Sequence, residues 1–226
     1  WPIITQMGDS KMKERTIKIA DSFFGRHREL QFMKEDILQA CNLVLEAYRK
    51  GGKLLICGNG GSCADSDHIV GELMKGFLLK RPLDADLKDK FHQYFGEIGR
   101  KVAEKLQGSL PAISLNAHTS FNTAFINDVD AATNYAQQVM GYAKPEDVLI
   151  GISTSGNAEN IYYAFMAAKV KGIKCIGISG RDGGKLVLIS DCCLIAPADE
   201  TYQIQEYHLA IYHFICSFVE SEMFER

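Results

Sequence analysis

The stretch KLLICGNGGSCADSDHIVGEL (53–73) joins an apolar run, a glycine-rich turn and a helical pattern. Its apolar run is short and continuous, which favours a strand that is buried on both faces. Similar runs recur between segments of helical pattern, and they read PAISL (111–115), DVLIGI (147–152), IKCIGIS (173–179) and DCCLIAP (191–197). Buried strands that alternate with helices are typical of parallel sheets. The sequence therefore predicts an α/β fold, with a doubly wound parallel five-stranded sheet sandwiched by helices.

Helical patterns also lie outside this alternation. Apolar residues at spacings of three and four predict leading helices within 1–50. Segment 84–109 is also helical in pattern, with apolar residues at positions 87, 91, 95, 98, 102 and 106. It is additional to the helices and strands that a minimal α/β sandwich needs. We interpret 84–109 as a helical insertion on the surface, packed on the core, with a lid or an oligomer contact as the alternative. We expect a single domain over 1–226.

The composition excludes several classes of protein. The 226 residues carry 25 basic and 28 acidic side chains and are 46% apolar, which argues against a disordered chain and a basic nucleic-acid binder. No apolar run approaches the ~20 residues of a membrane helix, and the N-terminus lacks a secretory signal pattern. Seven cysteines without a CxxC pair indicate neither a disulfide framework nor a structural zinc site. We expect reduced thiols in a cytoplasmic protein.

Two glycine-rich loops, GNGGS (58–62) and GISTSGN (151–157), follow predicted strands and open predicted helices. Backbone amides, hydroxyls and the helix N-terminus can hold an anion there without Lys or Arg. Because the nucleotide motifs GxxxxGK[ST] and GxGxxG are absent, we expect a sugar phosphate. The residues expected to bind it are Asn59, Gly60, Gly61, Ser62, Ser153, Thr154 and Ser155. We interpret a third glycine-rich turn, GRDGGK (180–185), as structural.

His68 and Glu72 form a candidate acid/base or metal pair. They lie four residues apart on the helix predicted after GNGGS, so they share one face and are about 6 Å apart along the axis. Such a pair can place an imidazole and a carboxylate on one metal ion or one substrate. An ordinary surface pair is the alternative, but the position after an anion loop favours a site.

The last predicted helix carries further candidates in IQEYHLAIYH (204–213). Gln205 and His213 are eight residues apart, which is about 12 Å along a straight helix and too far for two ligands of one metal. Either the helix begins after Gln205, or side chains from more than one subunit complete the site. His208 is about 140° from His213 around the helix, so both cannot face one pocket.

Four motifs in this order resemble those of the phosphoheptose (sedoheptulose 7-phosphate) isomerases of the sugar isomerase (SIS) domain family. They are GNGGSCADSDHIVGEL (58–73), INDV (126–129), GISTSGNAENI (151–161) and IQEYHLAIYH (204–213). The resemblance implies an aldose–ketose isomerase that acts on sedoheptulose 7-phosphate through an enediol(ate). It also implies one zinc ion per site and a homotetramer with sites at subunit interfaces. The near-neutral charge and the lack of a long apolar run predict neither a nucleic-acid nor a membrane partner.

The resemblance also implies roles for individual residues. The implied zinc ligands are His68, Glu72, Gln205 and His213. Glu72 and His213 match the proton-transfer pair of the family. The implied substrate contacts are the loop residues named above, together with Glu72, Asn127, Asp128 and Gln205. If Glu72 holds zinc, it is not a fully free base, so its two implied roles compete.

Three residues depart from the family pattern. Ala158 stands in place of a phosphate-binding Ser, Tyr202 in place of an Asp, and Gly76 in place of an Arg. The insertion 84–109 is also not typical of the family. These departures make the reaction type better supported than the substrate.

Two other functions therefore stay open. One is a non-catalytic SIS scaffold similar to the tetrameric protein that associates with the bacterial replication initiator, and the other is an isomerase or sensor for another phosphosugar. The complete set of His68, Glu72, Gln205 and His213 favours an enzyme over a scaffold. Lys75, Lys80 or Arg81 are candidates to replace the missing Arg charge.

Overall fold

The computed structural model describes residues 6–7 and 10–225 of the chain. Its strands are β1 (Gln6–Met7), β2 (Ser10–Lys11), β3 (Leu54–Gly58), β4 (Ala112–Ser114), β5 (Val148–Ile152), β6 (Lys174–Gly180) and β7 (Cys192–Ala196). Its helices are α1 (Glu14–Arg26), α2 (Lys34–Arg49), α3 (Gly61–Met74), α4 (Ala85–Ala103), α5 (Thr119–Asp128), α6 (Asn134–Tyr142), α7 (Glu159–Val170), α8 (Leu186–Ile189) and α9 (Thr201–Phe224). Residues 1–5, 8–9 and 226 of the predicted domain lie outside the described residues.

Strands β3 to β7 form one parallel sheet in the order β4-β3-β5-β6-β7. β3 pairs with β5 along its whole length, from Leu54 opposite Val148 to Gly58 opposite Ile152. Every residue of these two strands is buried, as expected for strands that are covered on both faces. The prediction of a five-stranded parallel sheet sandwiched by helices is confirmed.

Alternate residues of a strand enter different halves of the core. Leu54 and Ile56 of β3 pack in the cluster that includes residues of α1, α2 and α9, whereas Leu55 and Cys57 pack in the cluster with α6 and α7. Successive side chains of a strand point to opposite faces, so a continuous apolar run supplies both clusters. Each fully buried Leu or Ile contributes roughly 1.5–3 kcal/mol. The doubly wound arrangement follows from this pattern.

The order of the strands places the two glycine-rich loops side by side. From β3 the chain moves outward to β4 and then returns to β5 on the other side of β3. Where the order reverses in this way, a crevice for ligands opens beyond the carboxyl ends of the strands. Loops 58–62 and 151–157 leave β3 and β5 at this point. The two predicted anion loops are therefore neighbours.

The insertion 84–109 forms helix α4, but its apolar side chains are not packed on the core. A break at Gly96, where φ is 60°, divides the helix, and the buried residues of α4 are Gly99 and Ala103. Phe95 and Ile98 are 66% and 74% exposed. A surface helix is confirmed, whereas the expected packing of these side chains on the core is wrong. Neither α4 nor any other described helix has the length and apolarity needed to cross a lipid bilayer.

Candidate functional site

The first glycine-rich loop turns tightly between β3 and α3. Gly60 has a φ of 57°, in the region that favours glycine. A Cβ on Gly58 would overlap the carbonyl of Ser62, and a Cβ on Gly61 would lie 2.5 Å from Gln205 Nε2. The glycines therefore let the backbone approach the start of α9. Gly60 and Gly61 are exposed at the start of α3, where the positive end of the helix dipole favours an anion.

The second loop, between β5 and α7, is held by the third glycine-rich turn. Ser153 is 6% exposed and its amide donates to Ile178 O at 3.0 Å. Gly156 has a φ of 66°, and a Cβ there would overlap the carbonyl of Gly183. The turn 180–185 thus packs directly on the STSGN loop, in agreement with its interpretation as structural. Ala158 precedes α7 and offers no side-chain cap.

The two loops are joined by Asn59, which the sequence predicts as a site residue, together with Asn160 and Tyr135, which it does not. The amides of Asn59 and Asn160 exchange hydrogen bonds of 2.9 and 3.0 Å. Tyr135, which is 7% exposed, directs its hydroxyl to Gly58 O at 2.9 Å. These contacts hold the N-termini of α3 and α7 next to each other. Asn160 and Tyr135 carry no local motif, since their partners lie 101 and 77 residues away.

Three predicted site residues meet between α3 and α9. His68 Nε2 lies 3.2 Å from Glu72 Oε1 and 3.5 Å from His213 Nε2. The side chain of His68 is 42% exposed and that of Glu72 is 13% exposed, so the group opens to solvent on one side. Burial and the neighbouring His68 lower the pKa of His213. The group combines a largely buried carboxylate with two imidazoles, which suits proton transfer.

Gln205 lies away from this group. Helix α9 begins at Thr201, so the alternative in which the helix begins after Gln205 is wrong. α3 and α9 run in the same direction, because Gln205 contacts Gly61 while His213 contacts His68. The seven residues from Gly61 to His68 correspond to about 10 Å of helix. Within one chain, Gln205 therefore lies beside the first glycine-rich loop and does not join His68.

His208 faces the opposite side of α9, as its position around the helix predicts. It is fully buried, and its Nε2 donates to the carbonyl of Ser179 in β6 at 3.0 Å. Burial lowers the pKa of His208 to about 4, so the imidazole is neutral. His208 is a core residue and not a member of the site.

The donor atoms fit zinc only in part. Among the described residues, no group of three His, Cys, Asp or Glu side chains forms a metal site. However, the distances of 3.2 and 3.5 Å from His68 Nε2 to Glu72 and His213 resemble the separation of about 3.4 Å between two ligands of tetrahedral zinc. A complete tetrahedral site needs a further ligand.

Asn127 and Asp128 lie at the end of α5, a helix without buried residues. Asn127 Nδ2 donates to Asp128 Oδ1 at 2.8 Å. Within the described residues, no hydrogen bond connects either residue to the His68 group. Their role as substrate contacts stays a prediction.

Of the cations considered as replacements for the missing Arg, Lys75 lies in the site. Its Nζ is 3.5 Å from Glu72 Oε2. Arg81 is wrong as a candidate, because its side chain is fully buried and pairs with Glu220 at 2.7 Å. Arg81 also donates to the carbonyls of Glu72 and Leu73. This ion pair links the end of α3 to α9 and is not available to a substrate.

The sequence analysis also missed Tyr212, which contacts His68, and Asp65, which contacts the hydroxyl of Tyr212. Tyr212 is 1% exposed, and its hydroxyl lies 2.9 Å from His68 Nδ1 and 3.3 Å from Asp65 Oδ1. Asp65 was detectable in principle, since it lies three residues before His68 on the same helix face. Tyr212 adjoins His213 in the sequence, but its direction depends on how α9 packs against α3.

Comparisons with known proteins agree with this geometry. A family model described as SIS domain matches residues 26–93 and 94–180. The phosphoheptose isomerase of Clostridium acetobutylicum is 40% identical over 190 residues, which are 84% of this chain and 84% of the relative. That of Helicobacter pylori strain P12 is 38% identical over 193 residues, which are 85% of this chain and 87% of the relative.

Two solved structures are similar over nearly the whole chain. Phosphoheptose isomerase GmhA from Neisseria gonorrhoeae has a TM-score of 0.68 and 30% identity, and the match covers 92% of this chain and 94% of that one. A phosphoheptose isomerase from Francisella tularensis has a TM-score of 0.70 and 26% identity, covering 91% and 98% of the two chains.

Proposed function

This chain belongs to the SIS domain family and, within it, to the phosphoheptose isomerases, and on that premise we propose that it converts sedoheptulose 7-phosphate to glycero-manno-heptose 7-phosphate. The reaction moves a carbonyl between neighbouring carbons and needs a proton donor and acceptor in one crevice. The observation that carries the proposal is the meeting of His68, Glu72 and His213. They lie on α3 and α9, and the N-terminal parts of both helices adjoin the first glycine-rich loop.

The phosphate binds at the two loops beyond β3 and β5. Backbone amides at the start of α3 and α7 provide donors and the positive ends of two helix dipoles. Ser62, Ser153, Thr154 and Ser155 add hydroxyl groups. Binding of this kind does not depend on the net charge, which is −3 for the whole chain. Lys75, close to Glu72, is the cation placed to contact the anionic substrate.

Glu72 removes a proton from the carbon beside the carbonyl, which produces a cis-enediol(ate). Its carboxylate is largely buried but faces the opening beside His68. His213, whose pKa is lowered by burial and by the neighbouring His68, exchanges a proton at the neighbouring position. The two groups lie on different helices, so they can address adjacent atoms of one substrate.

His68, Glu72 and His213 would hold zinc, and Gln205 from another copy of the chain would complete the ligand set. Zinc, when bound, supplies a Lewis acid for the sugar oxygens. The separation of Gln205 from His68 within one chain supports a site shared between subunits, as in a homotetramer. The exposed apolar side chains of α4 and α5, such as Ile98 and Ile126, would be covered in such an assembly. Free, mostly buried cysteines support a cytoplasmic location.

The test is incubation of purified, zinc-loaded protein with sedoheptulose 7-phosphate and with phosphorylated hexuloses, followed by NMR. We expect aldose to form from the heptulose phosphate. No conversion of any substrate would overturn the isomerase and favour the scaffold. Conversion of a hexulose phosphate but not of the heptulose phosphate would contradict the proposed substrate and support the proposed type of reaction.

A different phosphosugar is the second candidate, because a phosphate-binding Ser and an Asp of the family pattern are replaced here by Ala158 and Tyr202. Ala158 leaves the start of α7 without a hydroxyl, and Tyr202 is 62% exposed at the start of α9. Restoring the family residues by Ala158→Ser and Tyr202→Asp separates the candidates. If sedoheptulose 7-phosphate is the substrate, each change should leave KM for it equal or lower. A large rise in KM would favour another phosphosugar.

A further inference from the structure

A buried tyrosine hydroxyl lies between an aspartate and His68. Tyr212 of α9 places its hydroxyl 2.9 Å from His68 Nδ1 and 3.3 Å from Asp65 Oδ1. The rings of Tyr212 and His68 meet edge to face, with centroids 5.5 Å apart. The other oxygen of Asp65, Oδ2, is buried and has no hydrogen-bond partner among the described residues. Among the described residues, the hydroxyl of Tyr212 is thus the hydrogen-bond partner that connects the carboxylate of Asp65 to the site.

The number of available protons limits the directions of the hydrogen bonds between Asp65, Tyr212 and His68. A tyrosine hydroxyl has one proton to donate, whereas an ionised carboxylate only accepts. When Tyr212 donates to Asp65, its oxygen accepts from His68 Nδ1–H. A neutral imidazole with its proton on Nδ1 has a lone pair on Nε2, and this atom faces Glu72 and His213.

We propose that Asp65 and Tyr212 are positioning residues that hold His68 with its proton on Nδ1 and its Nε2 lone pair directed into the site. The inference rests on the proposed function, in which Nε2 of His68 binds zinc. Partners of this kind fix the ring and the tautomer of metal-binding histidines, and their loss typically weakens metal affinity 10–100-fold. Here the carboxylate acts through a hydroxyl on a second helix, so it also ties α3 to α9.

The chain contains a matched control for the loss of a buried tyrosine hydroxyl. Tyr48 of α2 is 7% exposed, and its hydroxyl is buried without a hydrogen-bond partner in the described part of the chain. It packs in the same core cluster as Tyr212. Tyr48→Phe and Tyr212→Phe therefore remove the same atom from similar surroundings. They differ in whether that atom contacts His68.

The experiment measures zinc affinity by competition with a chelator, using the full chain and the variants Tyr212→Phe, Tyr48→Phe, Asp65→Asn and His68→Ala. We expect affinity to fall about 10–100-fold in Tyr212→Phe and to stay unchanged in Tyr48→Phe. Asp65→Asn should weaken binding less, because its amide oxygen still accepts. The double variant Asp65→Asn/Tyr212→Phe should be no weaker than Tyr212→Phe, since the two residues act in series. Circular dichroism and size-exclusion chromatography compare fold and assembly.

The outcomes separate this inference from the proposed function. Unchanged affinity in Tyr212→Phe, together with lost affinity in His68→Ala, would overturn the role of Tyr212 and retain the zinc site. Unchanged affinity in His68→Ala would overturn both. Nitrogen-15 NMR of the zinc-loaded protein gives a readout that a purely structural role would not change. We expect the proton of His68 on Nδ1, and a proton on Nε2 would contradict the proposal.

Discussion

Helices α9 and α4 are both long and both carry apolar side chains, yet they have opposite roles in the molecule. α9 buries residues along most of its length, including Ile211, Phe214 and Glu220. α4 leaves Phe95 and Ile98 largely exposed. α9 packs against α3 on one face of the sheet and carries His213, whereas α4 is an insertion whose buried residues are Gly99 and Ala103. The difference shows that apolar content alone does not identify the helix that builds the site.

The largest effect is expected where α3 and α9 meet. Glu72→Gln removes the proposed base, so turnover should fall about 10²- to 10⁴-fold with little change in fold. NMR of aldose formation measures this. The matched control is Glu97→Gln on α4, whose carboxylate is exposed and pairs with Arg100. Wild-type turnover in Glu72→Gln would contradict the mechanism.

The next largest effect concerns the ion pair that fastens α9 to α3. Arg81→Met leaves the carboxylate of Glu220 buried without its guanidinium, so the free energy of unfolding should fall by about 3–5 kcal/mol. Denaturation by urea measures the change. Arg100→Met on α4 breaks an exposed pair and should cost about 1 kcal/mol or less. Equal losses in the two variants would remove the distinction between the helices.

The buried His208 of α9 predicts a dependence of stability on pH. Its pKa is lowered from 6.5 to about 4 in the folded chain, so between these values the unfolded chain binds more protons. Stability should therefore rise with pH through this window and be lost as pH falls below 6.5, by up to about 3 kcal/mol. Urea denaturation from pH 7 to pH 5 tests this. If the dependence of stability on pH persisted unchanged in His208→Asn, it would arise from other titratable groups and the prediction would be wrong.

The smallest effect is expected on α4. Ile98→Ala removes a side chain that is 74% exposed, so the free energy of unfolding should change by about 0.5 kcal/mol or less. Ile211→Ala on α9 removes a fully buried side chain and should cost about 2–5 kcal/mol. Thermal or urea denaturation compares the two. A loss above about 1 kcal/mol in Ile98→Ala would indicate that this face of α4 is covered in solution.

Local patterns predicted the framework of the site. Continuous apolar runs located the strands, and the spacing of His68 and Glu72 placed both on one face of α3, where they are 3.2 Å apart. The glycine-rich loops were also found, because their residues follow directly from strand ends. These features depend on neighbours within a few residues, so a single sequence contains them.

Long-range contacts were less predictable. The burial of Arg81 against Glu220 joins residues 139 positions apart, so its unavailability to substrate had no local signal. The exposed apolar face of α4 was likewise predicted wrongly, and the sequence left open whether α9 begins before or after Gln205. Zinc, the tetramer and the contacts of Asn127 and Asp128 stay predictions.

The sequence by itself determined the parallel α/β fold, the position of the two glycine-rich loops and the pairing of His68 with Glu72. These follow from strand burial and helix periodicity, which act over short distances along the chain. Only the tertiary structure decided that α3 and α9 run in the same direction, which brings His213 to His68 and leaves Gln205 at Gly61. The physical reason is that the packing of two helices on one face of a sheet depends on all the strands between them. Tyr212 illustrates this, since its hydroxyl reaches a residue 147 positions away.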